Sequence, residues 1–283
     1  MNIMKKKVYC SNEYEQLRRV IVCRPTHMKI AHVINETQKL YVEENIDVTL
    51  ALKQHDQFVK TLQKYDVQVV AIPPSPQFTE QVFTRDIGFT IGETVCIADM
   101  SCDVRQGEEQ VLKEWLKTQH IPYIQIEGTE IEGGDVIVDG QKIYVGMSHR
   151  TTQSSVRELS AAFPSHEVIP ISFNPRYLHL DCVFSILSKD EALLFPTAFN
   201  KEELSFFHKQ YDCIEVSSDE QFTLGANILS IGNKTIISLP LNQQVNEALR
   251  RRGYRVEEVD FSEIIKSGGA FRCCSLPLLR GGD

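Results

Sequence analysis

A hairpin-like pattern recurs four times in this chain, and its nearly constant spacing constrains the fold more than any other feature. The copies open on Asp86, Asp135, Asp181 and Asn227, which stand 49, 46 and 46 residues apart. Each is an apolar run, a turn signal such as Asp139-Gly140-Gln141, and a second apolar run, the pattern of two antiparallel strands. A period of this length marks a repeat architecture. Between the hairpins the apolar spacing changes to that of one helix face, over Gly107–Gln119, Thr152–Phe163, Asn200–Gln210 and Asn242–Gly253. Asn200 and Asn242 are good helix N-caps, and Thr152 or Gln153 opens the second helix less clearly. Short strand-like runs follow each helix, from Ile121, His166, Asp212 and Tyr254.

The repeating unit is therefore strand, strand, helix, strand. A fifth unit is split across the chain: a strand at Gln16–Pro25, a helix at Asp47–Tyr65, a strand at Asp66–Ile72, and a closing strand at Phe271–Leu279. Five such units predict an α/β ring whose closure removes exposed sheet edges and gathers strand ends at a central channel. An open mixed sheet is the alternative. No linker composition divides the chain, so one domain over residues 1–283 is expected, with Thr26–Lys39 as a mobile cover over the channel.

The formal net charge is −8, with no long basic run, which argues against a nucleic-acid binder or a polybasic membrane anchor but admits a cationic small molecule. The lysines near the N-terminus lack the apolar stretch of a signal peptide, and no segment has membrane-spanning length, so the expected address is the cytoplasm. The 8 cysteines show no metal-ligand spacing and no disulfide framework is expected.

Four segments carry residues suited to chemistry. Glu132 and His179 precede successive hairpins and would be neighbours in a ring, where the carboxylate fixes the imidazole tautomer and supports its protonated form. Asp86 and Asp181 would face one cavity, where two carboxylates repel unless a cation lies between them. A planar guanidinium with N–H groups on both sides suits such a pair better than a metal, for which a third carboxylate or second histidine is missing. Cys273 and Cys274 are adjacent; in a strand they point to opposite sides, so at most one faces the channel.

Taken in order, Phe83-Thr84-Arg85-Asp86, Glu132-Gly133-Gly134-Asp135, Ser148-His149-Arg150-Thr151, His179-Leu180-Asp181 and Cys273-Cys274-Ser275 resemble the guanidine-modifying superfamily. That superfamily comprises arginine deiminases, dimethylarginine dimethylaminohydrolases and glycine amidinotransferases. The resemblance spans essentially the whole chain and implies a five-bladed α/β propeller of the pentein type, in agreement with the repeat. It implies Cys273 as nucleophile, His179 as proton donor and acceptor, and Glu132 as its support. Asp86, Asp181, Arg150 and Arg85 are then the substrate-binding set, with Arg150 on a substrate carboxylate. Phe-Thr-Arg-Asp, His-Leu-Asp and Ser-Leu-Pro-Leu look like arginine deiminase; the length and Cys-Cys-Ser look like the dimethylarginine enzymes. The helical insertion of the deiminases is missing, and Gly268-Gly269 lies one residue further from the cysteine than in their pattern.

The expected activity is hydrolysis of an arginine-like guanidino compound to a ureido product, through a covalent amidino-enzyme, with no metal and no organic cofactor. An amidinotransferase using the same residues and a non-catalytic guanidine binder are the alternatives. The expected partner is the small-molecule substrate, not nucleic acid or membrane, and a homodimer is left open.

Overall fold

The computed structural model describes residues 8–126 and 129–281, so the lysine-rich start of the chain lies outside the described residues. Fifteen described strands form five three-stranded sheets of one topology, an antiparallel hairpin whose second strand also pairs in parallel with a third. The strands are β1 (Leu17–Cys23), β2 (Gln68–Ile72), β3 (Gly88–Ile91), β4 (Thr94–Ile97), β5 (Tyr123–Gln125), β6 (Val136–Asp139), β7 (Lys142–Gly146) and β8 (Glu167–Ile171). They continue as β9 (Phe184–Ile186), β10 (Glu191–Leu194), β11 (Asp212–Glu215), β12 (Leu229–Gly232), β13 (Thr235–Ser238), β14 (Arg255–Glu258) and β15 (Leu276–Arg280). Helices α1 (Glu36–Tyr41), α2 (Val48–Lys64), α3 (Glu108–Thr118), α4 (Gln153–Ala162), α5 (Lys201–Gln210), α6 (Ser218–Phe222) and α7 (Gln243–Arg251) complete the described elements with some short 3₁₀ turns.

All four hairpins read from the sequence are present, as β3–β4, β6–β7, β9–β10 and β12–β13. The split fifth unit is also present: β15 pairs antiparallel with β1, and β1 pairs in parallel with β2. Parallel neighbours need a crossover, which α2, α3, α4, α5 and α7 supply. Each of these helices buries one face; in α2 that face carries Ala51, Phe58 and Leu62.

Three local expectations change. Asn242 precedes α7 but makes no side-chain cap. Its amide is taken by Thr223, and Glu220 caps the helix from α6 instead, accepting from the Gln244 and Val245 N–H groups at 2.6 and 2.9 Å. A charged acceptor complements the positive helix N-terminus better than an amide. Phe271–Cys274 is a turn rather than strand: the Cys274 N–H donates to the Ala270 carbonyl at 2.9 Å, and β15 begins only at Leu276. Thr26–Lys39, expected as a mobile cover, contains the start of α1, capped by Asn35.

The polar residues that open the hairpins all turn inward. Asp86, Asp135, Asp181 and Asn227 are at most 2% exposed, and each lies just before its first hairpin strand. The strand that follows each of them is buried on both faces along most of its length. This shared placement brings together residues far apart in sequence.

Candidate active site

Two buried clusters meet where the hairpins begin. The first holds Glu132, His179, Asp86 and Arg150. His179 Nε2 lies 2.8 Å from Glu132 Oε2, and His179 Nδ1 lies 3.6 Å from Asp86 Oδ1. Gly133 and Gly134 make this approach feasible, because a Cβ on Gly134 would fall 2.5 Å from His179 Nδ1, and one on Gly133 2.2 Å from the Arg85 carbonyl. The Glu132 carboxylate also accepts from Ser101 Oγ at 3.2 Å and from Arg150 Nη1 at 3.2 Å.

These contacts decide the charges. Burial works against ionisation of Glu132, but the His179 hydrogen bond and the His179 and Arg150 charges hold its pKa down at about 2. Burial likewise opposes the imidazolium, yet Asp86, the Glu132 hydrogen bond and Asp135 raise His179 to about 10. Near neutral pH the pair is a carboxylate and an imidazolium. Asp135 supports it from behind, accepting from Ser148 Oγ, Thr151 Oγ1 and the Leu180 N–H at 2.5, 2.7 and 2.9 Å. Burial lifts the pKa of Asp135 to about 6 against the lowering by His179 and these donors.

The second cluster holds Cys273 and Asp181. Cys273 Sγ lies 3.7 and 3.8 Å from the two carboxylate oxygens of Asp181. A hydrogen bond with the Cys182 thiol, burial and the Asp181 charge push the Cys273 thiol well above its ordinary value. Asp86 acts in the same direction, so the thiol feels carboxylates of both clusters. Burial raises Asp181 as well, in spite of Arg272, whose Nε is 3.3 Å from Asp181 Oδ2. Asp86 Oδ1, His179 Nδ1 and Arg272 Nε are buried without a hydrogen-bond partner. Unpaired polar atoms of this kind carry a desolvation penalty that a hydrogen-bonding ligand relieves.

The structure thus gathers Glu132, His179, Asp86, Arg150, Asp181 and Cys273. It places Arg85 differently. That guanidinium is 3.3 Å from Glu13 Oε2 and donates to the Ser275 carbonyl, sharing Glu13 with Arg272. In this structure Arg85 anchors the turn that carries Cys273, whose carbonyl also accepts from the Arg85 N–H at 2.9 Å.

Two further residues escaped the sequence reading. Arg105 is buried between Asp86 Oδ2, at 2.6 Å, and Glu108, at 2.8 Å. Its only sequence signal was the three-residue spacing from Arg105 to Glu108. Asn227 was visible as the fourth hairpin opener, yet without a role. Its Oδ1 accepts from the Ala270 and Cys273 N–H groups at 3.1 and 3.2 Å, and its Nδ2 donates to the Asp181 carbonyl at 3.1 Å. Asn227 therefore ties the Cys273 turn to the Asp181 segment. Asn227→Ala is expected to cost about 1–3 kcal/mol for each buried group it orphans and to reduce turnover. Urea unfolding and steady-state kinetics test this; unchanged values on both counts would remove the residue from the site's support.

Thr26–Lys39 does lie over this region. The Ile34 carbonyl accepts from Arg150 Nη2 at 3.1 Å, Asn35 Nδ2 donates to the Ser267 carbonyl at 3.0 Å, and Gln38 Nε2 donates to Glu80 at 2.9 Å. A cavity of about 280 Å³ runs beside Ile34, His149 and Arg150, and one of about 80 Å³ beside Leu40, Cys182 and Phe222. A larger groove of about 710 Å³, between Tyr65, Lys234 and Tyr254, is lined by none of the reactive side chains. No described helix is long and apolar enough to cross a membrane.

Five repeated sheets converging on a buried thiol, imidazole and carboxylates accord with the guanidine-modifying superfamily, and the comparisons with known proteins place the chain there. Residues 24–280 match the profile of the family described as N,N dimethylarginine dimethylhydrolase, eukaryotic, and the chain belongs to that family. The uncharacterized protein YkgA of Bacillus subtilis (strain 168) is 50% identical over 275 residues, covering 97% of this chain and 96% of its own. The N(G),N(G)-dimethylarginine dimethylaminohydrolase of Mycobacterium tuberculosis is 26% identical, over 92% of this chain and 86% of its own. The solved N-terminal domain of ArgZ, a cyanobacterial arginine dihydrolase, superposes with a TM-score of 0.86 at 24% identity, covering 93% of this chain and 98% of that one, and shows the shared fold.

Proposed function

We propose that the protein hydrolyses a guanidino compound through a covalent amidino-enzyme on Cys273 and releases a ureido product. The observation that carries this reading is the unpartnered acceptor Asp86 Oδ1, buried beside the Cys273–Asp181 pair. A guanidinium is the ligand such a site lacks: flat, singly charged and rich in N–H groups. Two groups of side chains have metal-ligand proximity, Asp86–Glu132–His179 and Asp181–Cys182–Cys273. Arg105, Arg150 and Arg272 flank them with fixed positive charge, which repels a divalent ion more strongly than a monocation.

The guanidinium donates to Asp86 and Asp181. Its charge offsets the carboxylates that hold the Cys273 thiol protonated, so the thiolate forms when substrate is present. The sulfur attacks the central carbon. The His179 imidazolium gives its proton to the departing amine, and the neutral ring then takes one from the water that attacks the amidino-enzyme. Glu132 holds the ring and supports its charged state. Arg150, beside the larger of the two nearby cavities, receives a substrate carboxylate by leaving its contact with the Ile34 carbonyl. The five sheets are read as the blades of one propeller spanning residues 1–283. In support, β15 lies beside β3, β1 beside β12, and the turns before β6 and β9 touch.

Substrate comparison tests the reading. Asp181 needs an N–H donor on its side of the guanidinium, and methylation removes that donor and adds bulk. Arginine is therefore expected to exceed asymmetric dimethylarginine in kcat/KM by roughly tens to thousands of fold, although the family carries the methylated compound in its description. A clear preference for dimethylarginine overturns this role for Asp181. Addition of an acceptor amine distinguishes hydrolysis from amidino transfer, and a lack of ureido product from every guanidino compound tried overturns the hydrolase reading.

A further inference from the structure

Cys182 follows Asp181 and has no part in the reaction just described. Its sulfur, the Cys273 sulfur and an Asp181 carboxylate oxygen all lie within 4.8 Å of one another. Both thiols donate to Asp181 Oδ1, Cys182 at 3.6 Å and Cys273 at 3.7 Å, so one oxygen draws the two sulfurs together. The two residues are 3% and 2% exposed, yet Cys182 lines the cavity of about 80 Å³ between Leu40 and Phe222, which brings a small molecule to the Cys182 side of the pair. A disulfide has a sulfur–sulfur distance of about 2.05 Å, which neighbouring thiols reach by side-chain rotation and a small shift of the turns. Both sulfurs are carried by short turns, Leu180–Cys182 and Phe271–Cys274, rather than by strand interiors.

We propose that Cys182 and Cys273 form a reversible disulfide on exposure to a hydroperoxide, making Cys182 the resolving thiol of the nucleophile. In the first step the Cys273 thiolate attacks one peroxide oxygen. The S–O bond forms, the O–O bond breaks, and the departing oxygen takes a proton to leave as an alcohol or water. In the second step the Cys182 sulfur attacks the resulting sulfenic sulfur. The S–S bond forms, the S–O bond breaks, and hydroxide leaves with the Cys182 proton as water. Two thiols lose two electrons and two protons in all, and one hydroperoxide is reduced. Without a neighbouring thiol, a sulfenic acid proceeds to sulfinic acid, which thiol reductants do not reverse. Because the resting Cys273 is held protonated, formation of the disulfide should quicken as the pH rises.

The linkage stands apart from the hydrolase reading, but its consequence for activity rests on Cys273 being the nucleophile. The test treats the full chain with hydrogen peroxide, blocks remaining thiols, and maps peptides without reduction. The expected result is a Cys182–Cys273 linked peptide, an intact mass lower by two hydrogens before blocking, and reversal of both by dithiothreitol. Guanidino hydrolysis should fall with the linkage and return on reduction. Cys182→Ser, compared with its own turnover before treatment, should after it carry an over-oxidised Cys273 that dithiothreitol does not restore. If the linked peptide forms while untreated protein turns over no guanidino compound, the disulfide stands and the hydrolase reading falls. Wild-type protein that over-oxidises at Cys273, leaves both thiols free, or links Cys274 to nearby Cys23 overturns the proposal. Should Cys182→Ser fail to fold, the wild-type peptide map and its reversal decide the matter alone.

Discussion

Cys273→Ser is expected to lower turnover by roughly 10⁴-fold or more while leaving the folded structure intact. The hydroxyl is close in size to the thiol, so the turn and its backbone ties to Arg85 and Asn227 survive. The chemistry does not survive. A guanidinium between Asp86 and Asp181 can offset the charge that keeps a thiol protonated, but a serine hydroxyl remains far from ionisation under the same field. Cys274→Ser should keep substantial turnover, because it is the Cys273 sulfur, 3.7 and 3.8 Å from the two oxygens, that sits on the Asp181 carboxylate. Matched unfolding curves, steady-state rates and acid-quenched mass spectra of the amidino adduct check the pair. Loss of activity in Cys274→Ser with retention in Cys273→Ser would reverse the assignment of the two sulfurs.

Glu132→Gln should damage both stability and rate. It leaves Arg150 and the His179 ring buried beside a neutral amide, and breaking a buried ion pair from one side costs about 3–5 kcal/mol. Loss of support for the imidazolium should reduce kcat by roughly 10²- to 10⁴-fold. The pH dependence separates this from a general packing defect. The folded pKa of His179 is raised from 6.5 to about 10, so its contribution to stability is full below 6.5 and is lost as pH rises through about 10. That of Glu132 is lowered from 4.5 to about 2, so its contribution is present above 4.5 and is lost as pH falls through about 2. The pair contributes most between these ranges. In Glu132→Gln the folded pKa of His179 should fall, and the alkaline loss of stability should move to lower pH. Unfolding midpoints measured from acid to alkaline pH check this; parallel curves for mutant and wild type would remove the charge pair from the account.

The architecture was legible because periodicity and spacing carry it. Apolar runs split by turn signals marked the hairpins, helical spacing marked the crossovers, and the interval between Asp86, Asp135, Asp181 and Asn227 showed that the units repeat. The strands β1 and β15, at opposite ends of the sequence, were paired on the same logic. Side-chain direction within turns was less legible, since it follows from local backbone angles and rotamers rather than from any period. Hence Arg85, adjacent to Asp86 in a plausible motif, turns to Glu13, while Arg105 reaches Asp86 from a separate segment. Asn242 lost its cap to Glu220 because a partner from α6 arrives with full charge, and a local reading of α7 sees only the nearer amide. Nothing in its spacing set Cys182 apart until the fold placed it beside Cys273.

The pairing of β15 with β1 also orders events at the ribosome. Leu17–Cys23 emerges well before its antiparallel neighbour, Leu276–Arg280, and Cys273 stands just ahead of that later strand. Glu132 and His179 are likewise made before Cys273. The closing contact spans nearly the whole sequence, the kind of non-local pairing that folds slowly. The step that completes the first sheet is thus the same one that brings in Cys273, the proposed nucleophile.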